Sequence, residues 1–230
     1  MNETIVMFDM DGTLLDLAFD QFIWNEHLPQ HYAHQHQCSL ADSQEKLFQF
    51  YQKHQHTLQW YSSKFWSEIV GSDVLQLQHQ FRHKIQARSG CHELLRALKQ
   101  HKQQCWIVTN ADIASLALKM QMTGLSKYFE QIISSESIGY PKEHPEFWTT
   151  LQQRYPFDPK QSVFIDDTAR VLDSAKRFGI QQLYTIAQPS SLEPARDSAK
   201  LDYPVVEELT DLLELLSLNR PYKDIHDKTA

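Results

Sequence analysis

Three short apolar runs along the chain each stop abruptly on polar residues: TIVMFDMD (Thr4–Asp11), QCWIVTNAD (Gln104–Asp112) and QSVFIDDT (Gln161–Thr168). Runs of this length suit strands buried on both faces of a parallel sheet. EQIISSE (Glu130–Glu136) and QQLYTIA (Gln181–Ala187) have the same character. Between the runs lie segments whose apolar residues recur at helical spacing: CHELLRALKQHK, DIASLALKMQM, PEFWTTLQQRY and ARVLDSAKRFG. Gly124 and Gly179 directly follow two of these, where helix-ending glycines fall. Alternating strands and helices predict an α/β domain with a doubly wound, Rossmann-like parallel sheet. In such sheets the ligand crevice lies beyond the carboxyl ends of the strands. The polar residues ending the three strong runs are therefore expected to gather in one place.

Residues 16–88 break the alternation. LLDLAFDQFIWNEHL, SLADSQEKLFQFYQKH, LQWYSSKFWSEIVG and SDVLQLQHQFRHKI read as helices, and no convincing strand lies among them. Ser39 with Asp42 resembles a capping box, and Gly71-Ser72 a stop followed by a new start. The expected organisation is a core of residues 1–15 and 89–230, with an all-helical cap, 16–88, inserted after the first strand. HLPQHYAHQHQ could suggest metal binding, but no second ligand cluster accompanies it. A solvated surface biased toward Gln and His is the better reading. The terminal NRPYKDIHDKTA is polar and expected to fray.

The totals narrow the partners. The chain has 230 residues and a formal charge of -7, which gives no basic footprint for nucleic acid or an anionic membrane. No stretch approaches the roughly 20 apolar residues of a membrane span. The apolar run begins within four residues of Met1, so no signal peptide is expected. Cys38, Cys91 and Cys105 are scattered and lack metal spacing, which reads as reduced cysteines in a cytoplasmic protein.

The strand ends carry the candidate chemistry. The first supplies Asp9 and Asp11, which project to the same side of an extended segment. The second supplies Thr109 and Asn110, and the third Asp166 and Asp167. Lys142 lies in IGYPKEHPEFW, just before a predicted helix. Either motif alone, "TN" or "DD", would read as an ordinary turn. Together they bring four carboxylates and one lysine to an apolar sheet edge, and unpaired buried charge costs several kcal/mol per group. A hard dication resolves the conflict. Magnesium favours a few carboxylates, a carbonyl, waters and substrate phosphate.

In this order, DMDGT, VTN, a lysine before a helix and IDD resemble the haloacid dehalogenase superfamily of phosphohydrolases. The resemblance spans the whole chain, and the helical insert falls where that family places a cap. It implies that Asp9 is the nucleophile and forms an aspartyl-phosphate. It also implies that Asp11 protonates the leaving alcohol and then activates water. Gly12, Thr109 and Asn110 would belong with Asp11 and Lys142 to the phosphate-binding set, with Lys142 neutralising Asp9 and the phosphoryl charge. Magnesium (Mg2+) would be held by Asp9, the Asp11 carbonyl and Asp167, with Asp166 bound directly or through water. Members that displace halide lack the second acid, so Asp11 favours phosphoryl transfer. Two positions depart from the family: Glu143 follows Lys142 where proline is usual, and Val171 stands where one common motif has an acid.

The substrate would be a small-molecule phosphomonoester. LLDLAFDQFIW, HTLQWYSSKFWSE, GYPKE and FGIQ look like the bacterial purine nucleotidases that dephosphorylate GMP and IMP. That favours a nucleoside 5'-monophosphate. A sugar-phosphate phosphatase or phosphosugar mutase stays open, as does a catalytically silent binding protein on the same fold.

Overall fold

The computed structural model describes residues 4–216, so the terminal NRPYKDIHDKTA lies outside the described residues. Five strands fall within the five apolar runs: β1 (Ile5–Phe8), β2 (Gln104–Thr109), β3 (Gln131–Ser134), β4 (Ser162–Ile165) and β5 (Gln182–Ile186). A two-residue β6 (Val205–Val206) completes a six-stranded sheet in the order β3-β2-β1-β4-β5-β6, with every pairing parallel. β6 escaped sequence reading because two residues show no periodicity. The sheet is doubly wound, as expected.

Alternation along β1 divides the interior. Val6 and Phe8 enter one apolar cluster with Leu94, Leu95 and Leu98 of α6 (Cys91–Gln100) and Leu116, Leu118 and Met120 of α7 (Ile113–Thr123). Ile5 and Met7 enter the other, with Phe147, Trp148 and Leu151 of α9 (Pro145–Arg154) and Val171, Leu172 and Ala175 of α10 (Ala169–Phe178). Short helices α8 (Ser135–Ile138) and α11 (Leu212–Leu215) complete the two layers. β1 is therefore central and fully buried, and its carboxyl end opens between β2 and β4.

Between Phe8 and Gln104 the chain is helical. α1 (Ala18–Gln21) runs through a π-helical turn, Phe22–His27, into α2 (Leu28–His36). α3 (Leu40–His54), α4 (Ser63–Val70) and α5 (Val74–Gln80) follow, with single 3-10 turns at Leu58–Tyr61 and Arg82–Lys84. Ser39 caps α3 by accepting from the Asp42 N–H, and its hydroxyl donates to the Asp42 carboxylate at 2.7 Å. Gly71 ends α4, but Asp73 rather than Ser72 caps α5. α2 to α5 close around their own apolar cluster of Leu28, Leu47, Trp66, Val70, Val74 and Leu77, whereas Phe19 of α1 and Ile23 of the π-helical turn join the cluster of Val6 and Phe8. The two chain crossings at the root of the helical segment lie together, where Leu15 bridges Ala87 and the Asp16 N–H donates to the Gln86 carbonyl. No helix among the described residues is long and apolar enough to cross a membrane.

Candidate active site

The sequence-marked residues meet at the carboxyl edge of β1, β2 and β4. Asp9, Asp11, Thr109, Asn110, Lys142, Asp166 and Asp167 all line one cavity of about 390 Å3. Asp9 directly follows β1, and its N–H donates to the Ile165 carbonyl of β4 at 2.9 Å. Gly12 sits in the turn beyond it with φ of +82°, and a Cβ there would lie 2.8 Å from the Asp167 carboxyl. Only glycine fits both the backbone conformation and the close approach.

Lys142 is buried and organises the acids. Its ammonium pairs with Asp9 Oδ1 and, at 2.6 Å, with Asp166 Oδ2. The second Asp166 oxygen accepts from the Thr168 N–H at 2.8 Å, so both oxygens of this 1% exposed residue are engaged. Asp167 is more open, and its carbonyl is gripped by Arg196 at 2.9 Å. The carboxyl oxygens of Asp9, Asp166 and Asp167 can lie within 4.8 Å of one another. Burial, against the pull of Lys142 and reinforced by Asp166, pushes the Asp9 carboxyl up to about 7. Burial and the Asp9 charge push Asp167 up to about 7, and burial lifts Asp166 to about 6. Burial alone would lower the Lys142 pKa, but Asp166 and Asp9 outweigh it and hold the ammonium charged. Three crowded hard oxygen donors with one lysine among them suit a small dication.

Thr109 is buried at the end of β2. Its oxygen accepts from the Ala111 N–H at 3.1 Å, which leaves the hydroxyl proton free to donate into the cavity. Asn110 is committed on both sides: Oδ1 accepts from the Lys142 N–H at 2.9 Å, and Nδ2 donates to Glu143 Oε2 at 3.0 Å. Its side chain thus braces the Lys142 loop, and a phosphate would meet this residue through the backbone.

Glu143, where the family usually has proline, reaches out of the strand-end cluster. The Tyr61 hydroxyl donates to Glu143 Oε1 at 2.5 Å. Nearby the Ser63 N–H donates to Asp112 Oδ2 at 2.7 Å, and Ser115 to Gln78 at 2.9 Å. The helical segment is thereby seated on the β2 and Lys142 loops. It lines the far wall of the cavity with Trp24, Tyr51, Trp60 and Trp66.

Sequence reading missed Lys119, Asp20 and Arg196. Lys119, 1% exposed, lies between Asp11 and Asp20 in the same cavity. The available signal was its position as the single charge of α7, among Leu116, Leu118 and Met120. Arg196 lies on a polar stretch where nothing local sets it apart, and Asp20, between Phe19 and Phe22, reads as the ordinary polar position of an amphipathic helix.

The model of the haloacid dehalogenase-like hydrolases matches residues 4–179. The GMP/IMP nucleotidase YrfG of Escherichia coli is 34% identical over 186 residues, 81% of this chain and 84% of that protein. Among solved structures, a HAD phosphatase from Thermococcus onnurineus superposes with a TM-score of 0.76 at 21% identity, covering 93% of this chain and 97% of that one. The L-2-haloacid dehalogenase of Xanthobacter autotrophicus gives 0.62 at 18% identity, covering 95% and 100%. These two structures share the fold. By its matched model and its 34% identical relative, the chain belongs to the haloacid dehalogenase-like hydrolases.

Proposed function

We propose that the protein is a magnesium-dependent phosphatase that hydrolyses purine nucleoside 5'-monophosphates, GMP and IMP, to nucleoside and phosphate. The observation that carries this reading is one cavity with two chemistries. A strand-end floor of Asp9, Asp11, Thr109 and Lys142 faces a wall of Trp24, Tyr51, Trp60 and Trp66. The floor suits a phosphoryl group, and the aromatic wall suits a flat, partly apolar nucleoside. The resemblance to a GMP/IMP nucleotidase supports the same substrate class.

Lys142 engages Asp9 Oδ1, leaving Oδ2 to attack phosphorus. As the Asp9–phosphorus bond forms, the ester bond breaks and its electron pair stays on the nucleoside oxygen, which takes a proton from Asp11. Asp11, now a base, accepts a proton from the water that cleaves the aspartyl-phosphate. Thr109 and Lys142 donate to the phosphoryl oxygens as charge builds there. Asp9, the Asp11 carbonyl and Asp167 would hold magnesium, with Asp166 binding it directly or through water, and the ion would neutralise phosphoryl charge and keep the carboxylates compatible with an anionic substrate.

Residues 16–88 act here as a cap over a core of 1–15 and 89–230, with hinges near Asp16 and Arg88-Ser89-Gly90. The apolar cluster that α2 to α5 hold for themselves and the narrow root at Leu15 and Ala87 support this division. A cytoplasmic setting belongs to the same proposal, supported by three free cysteines, two of them buried.

Phosphate release across nucleoside monophosphates and sugar phosphates, with magnesium and after its removal, tests the reading. GMP and IMP should give the highest kcat/KM, and chelation should abolish turnover. A clear preference for sugar phosphates would overturn the substrate, and turnover after exhaustive chelation would overturn the metal.

A further inference from the structure

Lys119 has no place in the mechanism above, yet it is among the largest fully buried side chains. Its Nζ lies 2.7 Å from Asp11 Oδ1 and 2.8 Å from each carboxyl oxygen of Asp20. A lysine is costly in an apolar helix, and stability alone would be served as well by an apolar side chain. Asp11 and Asp20 come from opposite sides of the cavity root: Asp11 from the loop after β1, Asp20 from α1 of the helical segment. Lys119 comes from α7, fixed at its N-terminus by the Asp112 cap.

We propose that Lys119 is a positioning residue for proton transfer by Asp11, with Asp20 as its second anchor. The ammonium fixes the buried Oδ1 and so turns Oδ2 toward the leaving oxygen. Because Asp20 rides on the helical segment, the ammonium is centred on Asp11 only when that segment is seated. Proton delivery is then coupled to closure over the substrate. The inference rests on the reading of Asp11 as the proton donor.

The consequence is selective for the leaving group. A nucleoside alkoxide is a poor leaving group and needs the proton as the ester bond breaks, whereas 4-nitrophenolate departs without it. The experiment is single-turnover consumption of GMP and of 4-nitrophenyl phosphate, with enzyme in excess and magnesium present. In this format only the phosphorylation step is read. It compares wild type with Asp11→Asn, Lys119→Met, Lys119→Arg and Asp20→Asn. A positioned acid contributes about a hundredfold or more, so Lys119→Met should slow GMP cleavage by about that factor and 4-nitrophenyl phosphate cleavage by less than about tenfold. Lys119→Arg, which keeps the charge, should recover part of the GMP rate, and Asp20→Asn should show a smaller loss of the same selective kind. Equal losses on both esters, or no loss on GMP, would overturn the proposal. If Lys119→Met does not fold by circular dichroism, Asp20→Asn and Lys119→Arg decide by the same criterion. Asp11→Asn separates the two levels. Selective loss there without selective loss at position 119 removes the positioning role alone, whereas unselective loss at Asp11 removes the proton donor and the proposal together.

Discussion

The strand-end floor and the helical wall face each other across one cavity, yet they hold their shapes by different means. The floor is a knot of charge in which Lys142 binds two carboxyls, Asn110 braces the Lys142 loop and Arg196 grips the Asp167 backbone. The wall is aromatic packing. Trp66 meets Trp24, Tyr51, Trp60 and Phe65 edge-on at centroid distances of 5.1–6.1 Å, and its indole N–H donates to the Trp60 carbonyl. A charge knot tolerates little change in chemistry. An aromatic wall tolerates chemical change but not loss of volume. Substitutions on the two sides should therefore fail differently, the floor in turnover and the wall in stability and affinity.

The largest effect is expected at the floor. Asp9→Asn keeps an oxygen for Lys142 but loses the nucleophile, so turnover of any phosphomonoester should fall by more than about a thousandfold. The fold should survive, since one charge leaves a crowded cluster. Retention of a tenth of the wild-type rate in a purified, folded variant would remove Asp9 from that role.

Trp66→Ala breaks the other side. A fully buried tryptophan truncated to alanine costs about 3–5 kcal/mol, measured by denaturant unfolding. Because Trp66 belongs to the cluster of the helical segment, the loss should appear as early unfolding of that segment, with 4-nitrophenyl phosphate turnover falling less than GMP turnover. A loss under about 1 kcal/mol would mean that the wall is not held by this packing.

Tyr61→Phe is aimed at the seam. It removes the hydroxyl that joins the wall to Glu143 and leaves a buried carboxyl oxygen short of its donor. The expected cost is about 1–3 kcal/mol, felt mainly as a raised KM for GMP with kcat nearly kept. A kcat loss with unchanged KM would place Tyr61 in the chemistry instead.

These three variants also mark what the sequence could express. That Asp9, Asp11, Thr109 and Asp167 share one cavity was legible because each strand end spells its chemistry within two or three residues, whereas Lys142, in the loop before α9, was marked as a lysine before a predicted helix and by the family resemblance. Magnesium was an expectation from four acids at one apolar edge, and the structure brings three of them, Asp9, Asp166 and Asp167, to one point. Lys119 was not legible, because its partners Asp11 and Asp20 are about a hundred residues away in the chain and a helical lysine ordinarily faces solvent. Glu143 was visible only as a departure from a family pattern, and its use as the acceptor for Tyr61 and Asn110 emerges from the folded contact. The aromatic wall was visible as periodicity, which cannot say which tryptophans face the cavity.

The smallest effect concerns pH. Without divalent metal, Asp9 and Asp167 titrate near 7 and Asp166 near 6 in the folded protein, against an ordinary value of 3.8. Between about 4 and 7 the unfolded chain has released these protons while the folded one still holds them, so stability should fall as pH rises through that window. Asp20, pushed up to about 7 by burial and the Asp11 charge against Lys119, adds to the same trend. Thermal unfolding in chelator at pH 5 and pH 8 should show wild type losing stability relative to Asp9→Asn at the higher pH, and magnesium should close the gap. A wild type that gains on Asp9→Asn as pH rises would contradict the sign.

The central claim is that the floor handles phosphate while the helical wall reads the nucleoside. Hydrogen exchange on the Asp9→Asn protein tests it most directly, comparing saturating GMP with saturating inorganic phosphate in magnesium. Phosphate should protect the loops at Asp9, Thr109, Lys142 and Asp167. GMP should protect these and, in addition, the segments around Phe19–Trp24 and Trp60–Trp66. Identical protection by the two ligands, confined to the strand-end loops, would contradict the account.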